Sequence, residues 1–86
     1  MQDKPDAKAS ARLLKKAVGR RIRYFRESKQ WTQQQLAVTI GLESDRQVKK
    51  WESGDRFPRP ENLVALSIIF AIEVKDLFDF PESEMN

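Results

Sequence analysis

The side chains able to do chemistry in this 86-residue chain are cations, carboxylates and amides, because it contains no Cys and no His. Disulfides, thiolate chemistry, the usual zinc sites and a Ser–His dyad are thereby excluded. Glu43 and Asp45 on a solvent face offer no acid–base pair, so neither an enzyme nor a cofactor or metal site is expected. What remains is charge. The 16 Lys and Arg against 13 Asp and Glu give a net +3 and hide an asymmetry. Residues 1–60 hold 15 basic and 7 acidic groups, whereas residues 61–86 hold 1 basic and 6 acidic groups. A basic block with an acidic end suits a polyanionic partner on one face. The plain alternative is a solvated helix surface.

These groups need a scaffold, and the length allows one domain. A chain this short buries only about 60–65% of the surface its unfolded form exposes, so its core is modest and dimerisation is a natural supplement. The most apolar stretch, Leu63 to Ile72, is half the roughly 20 residues that span a bilayer. The charged N-terminus has no apolar run behind it. A cytoplasmic protein without membrane contact is expected.

Hydrophobic spacing reads as helix nearly throughout. Leu14, Val18, Ile22 and Phe25 form one stripe, which predicts a first helix from about Ser10 to Ser28 behind a loose arm, residues 1–9. Thr32 is a capping residue for a second helix, Gln33 to Ile40, which Gly41 ends. Ser44 is the expected cap of a third helix, Asp45 to about Glu52, with Val48 and Trp51 inward and Gly54 as its stop. Pro58 and Pro60 keep residues 55–60 out of regular helix. Pro60 suits the first position of a fourth helix reaching about Ala71, with Glu61 at its positive end. A short fifth helix spans about Val74 to Phe78, and residues 79–86 form an acidic tail. No strand pattern is present, so the fold class is all-α, with residues 10–78 as the domain. Trp31, Trp51, Phe25 and Phe70 are expected in its core.

Two segments carry a resemblance. Gly19-Arg20-Arg21-Ile22-Arg23-Tyr24-Phe25-Arg26 with Trp31-Thr32-Gln33-Gln34-Gln35-Leu36-Ala37 resembles the opening of the Cro/repressor-type (XRE-like) helix-turn-helix family. Val48-Lys49-Lys50-Trp51-Glu52-Ser53-Gly54-Asp55-Arg56-Phe57-Pro58 resembles its middle, and Leu63, Leu66, Val74, Asp76 and Leu77 its end. The resemblance implies a compact five-helix, lambda-repressor-like DNA-binding domain with the motif at helices 2 and 3. Three departures stand out. The Gly41-to-Ser44 turn holds an extra residue at Leu42-Glu43, which would tilt the third helix. Ala71 stands where the family has Gly and Glu73 where it has a Ser or Asp cap, so a continuous bend is expected there. Val64 and Ile68 are apolar where the family is polar.

The resemblance also implies the sites. Such a domain docks its second motif helix in the major groove of double-stranded DNA. The base-contacting set is then Asp45, Arg46, Gln47, Lys49 and Lys50. Their chemistry suits it: Arg takes guanine O6 and N7, Gln takes adenine N6 and N7, and Asp accepts from cytosine N4. Thr32, Gln33, Ser44, Arg56 and Arg59 are the candidates for backbone contact. Arg20 and Arg23 are weaker candidates at the other side. Arg26 and Glu52 match a structural ion pair between the first and third helices. Val64, Ile68, Phe78 and Phe80 are surplus apolar residues that suggest a homodimer interface.

The function expected is a sequence-specific transcriptional regulator, a repressor by preference, acting as a homodimer on an inverted repeat. The domain fills the chain, so its switch is expected outside it. The competing reading is an antitoxin or anti-repressor that mainly binds a protein partner through Val64, Ile68 and Phe78.

Overall fold

The computed structural model describes residues 6–78. Four α-helices and one 3-10 helix make up this stretch: α1 (Ala7–Ser28), α2 (Gln33–Ile40), α3 (Arg46–Ser53), α4 (Pro60–Phe70) and the 3-10 helix Val74–Phe78. The class is all-α as expected, but the fifth element is a 3-10 helix and not an α-helix. The acidic tail expected at residues 79–86, Phe80 included, lies outside the described residues. Among the described residues no helix is long and apolar enough to cross a membrane.

Each helix begins and ends for a local reason. The carboxylate of Asp6 accepts from the N–H groups of Lys8 and Ala9, so α1 starts at Ala7 and not at Ser10. Three residues of the expected arm thus belong to the helix. At α2, Thr32 Oγ1 accepts from Gln35 N and Gln35 Oε1 accepts from Thr32 N, a reciprocal box that satisfies two end donors. Gly41 and Gly54 end α2 and α3 at φ 90° and 84°, where a side chain would be strained. Pro60 opens α4 at its first turn.

Two junctions depart from the sequence reading. Asp45, not Ser44, holds the cap position of α3 and makes no side-chain cap bond; Ser44 Oγ accepts instead from Arg46 N at 3.3 Å, so α3 begins one residue later, at Arg46. The expected continuous bend at residue 71 is absent. Ala71 turns left-handed at φ 58°, and its N–H and that of Ile72 close onto Ile68 O and Ser67 O. Glu73 holds the position before the 3-10 helix, and Asp76 Oδ2, from inside its first turn, reaches back to accept from the Glu73 N–H.

The core is built from Val18 and Ile22 of α1, Leu36 and Ala37 of α2, Val48 and Trp51 of α3, Leu66 and Phe70 of α4, and Leu77. Trp51 and Phe70 are buried as expected, and Phe25 and Trp31 are half-buried against this core. Leu14 is a correction: it is 38% exposed, because α1 outruns the body and its buried stripe starts at Ala17 and Val18. α1 and α3 approach closely where they cross. A Cβ on Gly19 would overlap the carbonyl oxygen of Trp51, so only hydrogen fits between the two backbones.

Two substitutions should move stability in opposite directions. Gly19→Ala forces α1 off α3 and should cost at least about 3 kcal/mol, the upper end of overpacking penalties. Ala71→Gly relieves a left-handed alanine that costs about 1–2 kcal/mol, against a loss of about 0.4–1 kcal/mol from greater unfolded-state freedom. A thermal melt should therefore show a rise of a few degrees for Ala71→Gly and a collapse of cooperative folding for Gly19→Ala.

Candidate nucleic-acid interface

Helix α3 presents one buried side and one wet side. Val48 and Trp51 are at 0% and 1% exposure, whereas Arg46, Gln47, Lys49 and Lys50 are exposed. The spacing of three between the apolar residues puts both on one side of a two-turn helix and these four on the other. Arg46 and Gln47 form a ridge between two clefts. The larger, about 440 Å3, is lined by Arg46, Gln47 and Lys50 from α3, by Arg56, Phe57 and Arg59 from the following loop, and by Glu61 and Asn62 from α4. Leu42 and Trp51 also line it. The smaller lies on the turn side, lined by residues 41–44 with Arg46 and Gln47. The larger cleft thus gathers the cations Arg46, Lys50, Arg56 and Arg59 around one carboxylate, that of Glu61. A concave surface of one sign attracts and orients a polyanion.

Not every candidate joins this surface. Asp45 is turned toward Lys49, Nζ to Oδ2 3.4 Å, an exposed one-turn pair that water and salt weaken. Lys49 therefore sits on the other flank of α3, outside both clefts. The Thr32 hydroxyl is committed to its capping bond. Gln33 is half-buried and donates Nε2–H to Glu52 Oε1 at 3.1 Å, so its side chain belongs to the scaffold more than to a waiting contact. What α2 still offers is the N–H groups of Gln33 and Gln34, which have no carbonyl four residues back to bond, since that of Gln35 is taken by the Thr32 hydroxyl. Arg23 pairs with Glu27 at 3.1 Å. The extra turn residue is absorbed at the surface: Leu42 is half-buried against the core, its N–H bonded to Ala37 O, and Glu43 is exposed.

The scaffold that aims α3 is an ion pair. Arg26 Nε and Nη2 donate to Glu52 Oε2 and Oε1 at 2.7 and 3.0 Å, a two-pronged geometry. Arg26 Nη1 donates to the Trp31 carbonyl at 2.7 Å. The side chains are 10% and 5% exposed. The hydrogen bond to Glu52 raises the Arg26 pKa above its ordinary value, against the opposing effect of burial. With Gln33 on the same carboxylate, this cluster joins α1, the α1–α2 turn, α2 and α3, and no buried side-chain polar atom among the described residues is left unbonded.

A second anchor was not visible in the sequence. Arg21 Nε donates to Asp76 O at 3.1 Å while its guanidinium lies 4.8 Å from the Phe25 ring centre. It holds the 3-10 helix on α1. On α4, Val64 and Ile68 are 51% and 71% exposed, one turn apart. Phe78 does not join them as an open surface residue: it is half-buried, its ring 5.9 Å from that of Phe57.

Comparison with known proteins agrees with this geometry. Residues 22–77 match the helix-turn-helix family model. The chain is similar to the restriction-modification controller protein C.AhdI from Aeromonas hydrophila, at 33% identity and a TM-score of 0.66, over 77% of this chain and 96% of that one. A hypothetical transcription factor, NHTF, from Neisseria shares the fold at a TM-score of 0.73 and 21% identity, over 99% of this chain and 92% of that one. No curated protein matches the chain.

Removing one side of the buried pair leaves the other charge stranded. Arg26→Met should lower unfolding free energy by about 3–5 kcal/mol in a denaturant titration. The Arg23→Met control, at an exposed pair, should change it by less than about 1 kcal/mol.

Proposed function

Since the chain belongs to the Cro/C1-type helix-turn-helix family of DNA-binding transcription regulators, we propose that it is a sequence-specific repressor acting as a homodimer on an inverted-repeat operator. The observation that carries this reading is the ridge of Arg46 and Gln47 standing between two clefts, with Lys50, Arg56 and Arg59 alongside. In the proposed complex α3 enters the major groove. Arg46 reads guanine and Gln47 adenine by paired hydrogen bonds, each worth about 1–3 kcal/mol of discrimination. Lys49 and Asp45 serve the flank, where their mutual pair has to open first.

Phosphates are gripped on either side of that helix. Arg56 and Arg59 lie along the loop after α3, and the N–H groups of Gln33 and Gln34 at the start of α2, with Ser44 at the turn, face the other strand. Backbone contacts fix position and register and leave sequence to the base edges. The family's docking geometry has the first motif helix cross the backbone while the second lies in the groove.

The dimer is proposed through α4. Val64 and Ile68 are exposed apolar residues one turn apart on α4, in the acidic C-terminal part of the sequence. A two-fold axis there would repeat α3 once per turn of DNA, about 34 Å apart. The likeness to a restriction-modification controller supports a regulator of that type. The same apolar pair also suits a protein partner, and mass measurement of the isolated protein separates the two.

Selection from a random duplex pool tests the reading. An inverted-repeat motif is the expected result, and retention of duplexes without any shared motif contradicts it. Arg46→Ala should retain most non-specific binding and lose preference at one position of each half-site. Ile68→Asp should convert the dimer to monomer in sedimentation; an unchanged dimer mass places the interface elsewhere.

A further inference from the structure

The part of α1 that outruns the core is not neutral. Over Ala7–Lys16 it carries Lys8, Arg12, Lys15 and Lys16 and no carboxylate, and most of its residues are exposed. None of the four cations has an acidic partner among the described residues. Helical spacing puts Lys8, Arg12 and Lys16 in one row, with Lys15 on its flank. Exposed Leu13 and Leu14 lie on other sides of the helix.

The direction of that row is fixed by two contacts. Gly19, one turn on from Lys15 and Lys16, is the residue pressed on the α3 carbonyls. The Lys16 stem lies against Gly54, where a Cβ would come within 2.6 Å of Lys16 Cγ. The cationic row therefore starts at the C-terminal end of α3, where the loop bearing Arg56 and Arg59 departs, and runs outward along the same side of α1 that packs on α3. From Lys8 to Lys16 the helix rises about 12 Å, a length over which duplex DNA carries about seven phosphate charges.

We propose that the protruding first turns of α1 are a second, sequence-blind grip on DNA, with Lys8 and Arg12 reaching backbone phosphates beyond those held by the loop after α3. This rests on the reading of α3 as the major-groove helix. The grip adds affinity and footprint length without adding sequence information, because phosphates look alike in every sequence. It also lets a domain with a two-turn reading helix hold its site at physiological salt.

The test uses the full chain, its selected duplex, and the same duplex trimmed at both flanks. The double variant Lys8→Gln, Arg12→Gln is compared with Lys29→Gln, Lys75→Gln, which removes equal charge elsewhere. Circular dichroism melts should change little in both, since all four side chains are exposed and the contacts of Lys29 with the Trp31 ring and of Lys75 with Glu73 are weak surface interactions. The first variant should select the same motif as the unaltered protein. Its plot of log affinity against log salt should be shallower by about two per protomer, and the control should change by less than half of that. Trimming the flanks should weaken the unaltered protein and leave the first variant indifferent. Equal salt slopes for the two variants, or equal losses on trimming, overturn the proposal. So does a result in which the Lys8, Arg12 pair affects only sedimentation with phosphatidylglycerol vesicles, which would make the segment a membrane-surface helix. If the unaltered protein selects no motif at all, the reading of α3 fails first and this inference falls with it.

Discussion

The contact of α1 with α3 governs the rest of the structure. It is made twice, once by absence and once by charge. Gly19 lets the two backbones touch, and Arg26 clamps Glu52 a little further along. Neither feature suffices alone. A glycine crossing without the clamp would leave α3 free to rotate, and a buried ion pair in loose packing would admit water. Together they set the angle at which a helix of only eight residues stands out from a small core. An isolated helix of that length is not stable in water, so its order comes from the surface it is held against.

The same contact explains why the polar residues divide as they do. Glu52 is satisfied by Arg26 and Gln33, which removes the acid that would otherwise face the cationic side. The exposed charges on α3 and its following loop are then mainly positive, with Asp55 and the Asp45–Lys49 pair as local exceptions and Glu61 of α4 at the cleft's edge. The acidic residues Glu61 of α4, Glu73 of the following turn and Asp76 of the 3-10 helix come after this surface in sequence. A long-range field of this shape orients a polyanion before any contact is made.

Much of this was legible in the residue order. Gly41 and Gly54 mark helix ends because no other residue takes a left-handed turn so cheaply. Val48 and Trp51 mark the inner side of α3 through their spacing. The misses have physical causes as well. Leu14 has the right spacing for the core, but spacing does not say where the core stops. Ala71 turns left-handed without the glycine that would announce it, because the cap bonds to Ser67 and Ile68 outweigh the strain. Asp6 followed by Ala7 was a readable cap signal, masked by the mixed charges around it. Gln33 could be assigned to DNA from its position, yet its bond to Glu52 depends on a residue 19 positions away that only the fold brings near.

In the proposed complex the ridge of Arg46 and Gln47, held out by the α1–α3 clamp, is the surface that meets DNA. The most direct measurement is the change in amide and side-chain NMR shifts of the full chain as its selected duplex is added. The largest changes should fall at Arg46, Gln47 and Lys50 and in the loop at Arg56, with Val48 and Trp51 shifting little. Changes confined to α4 around Val64 and Ile68, with α3 silent, would contradict it.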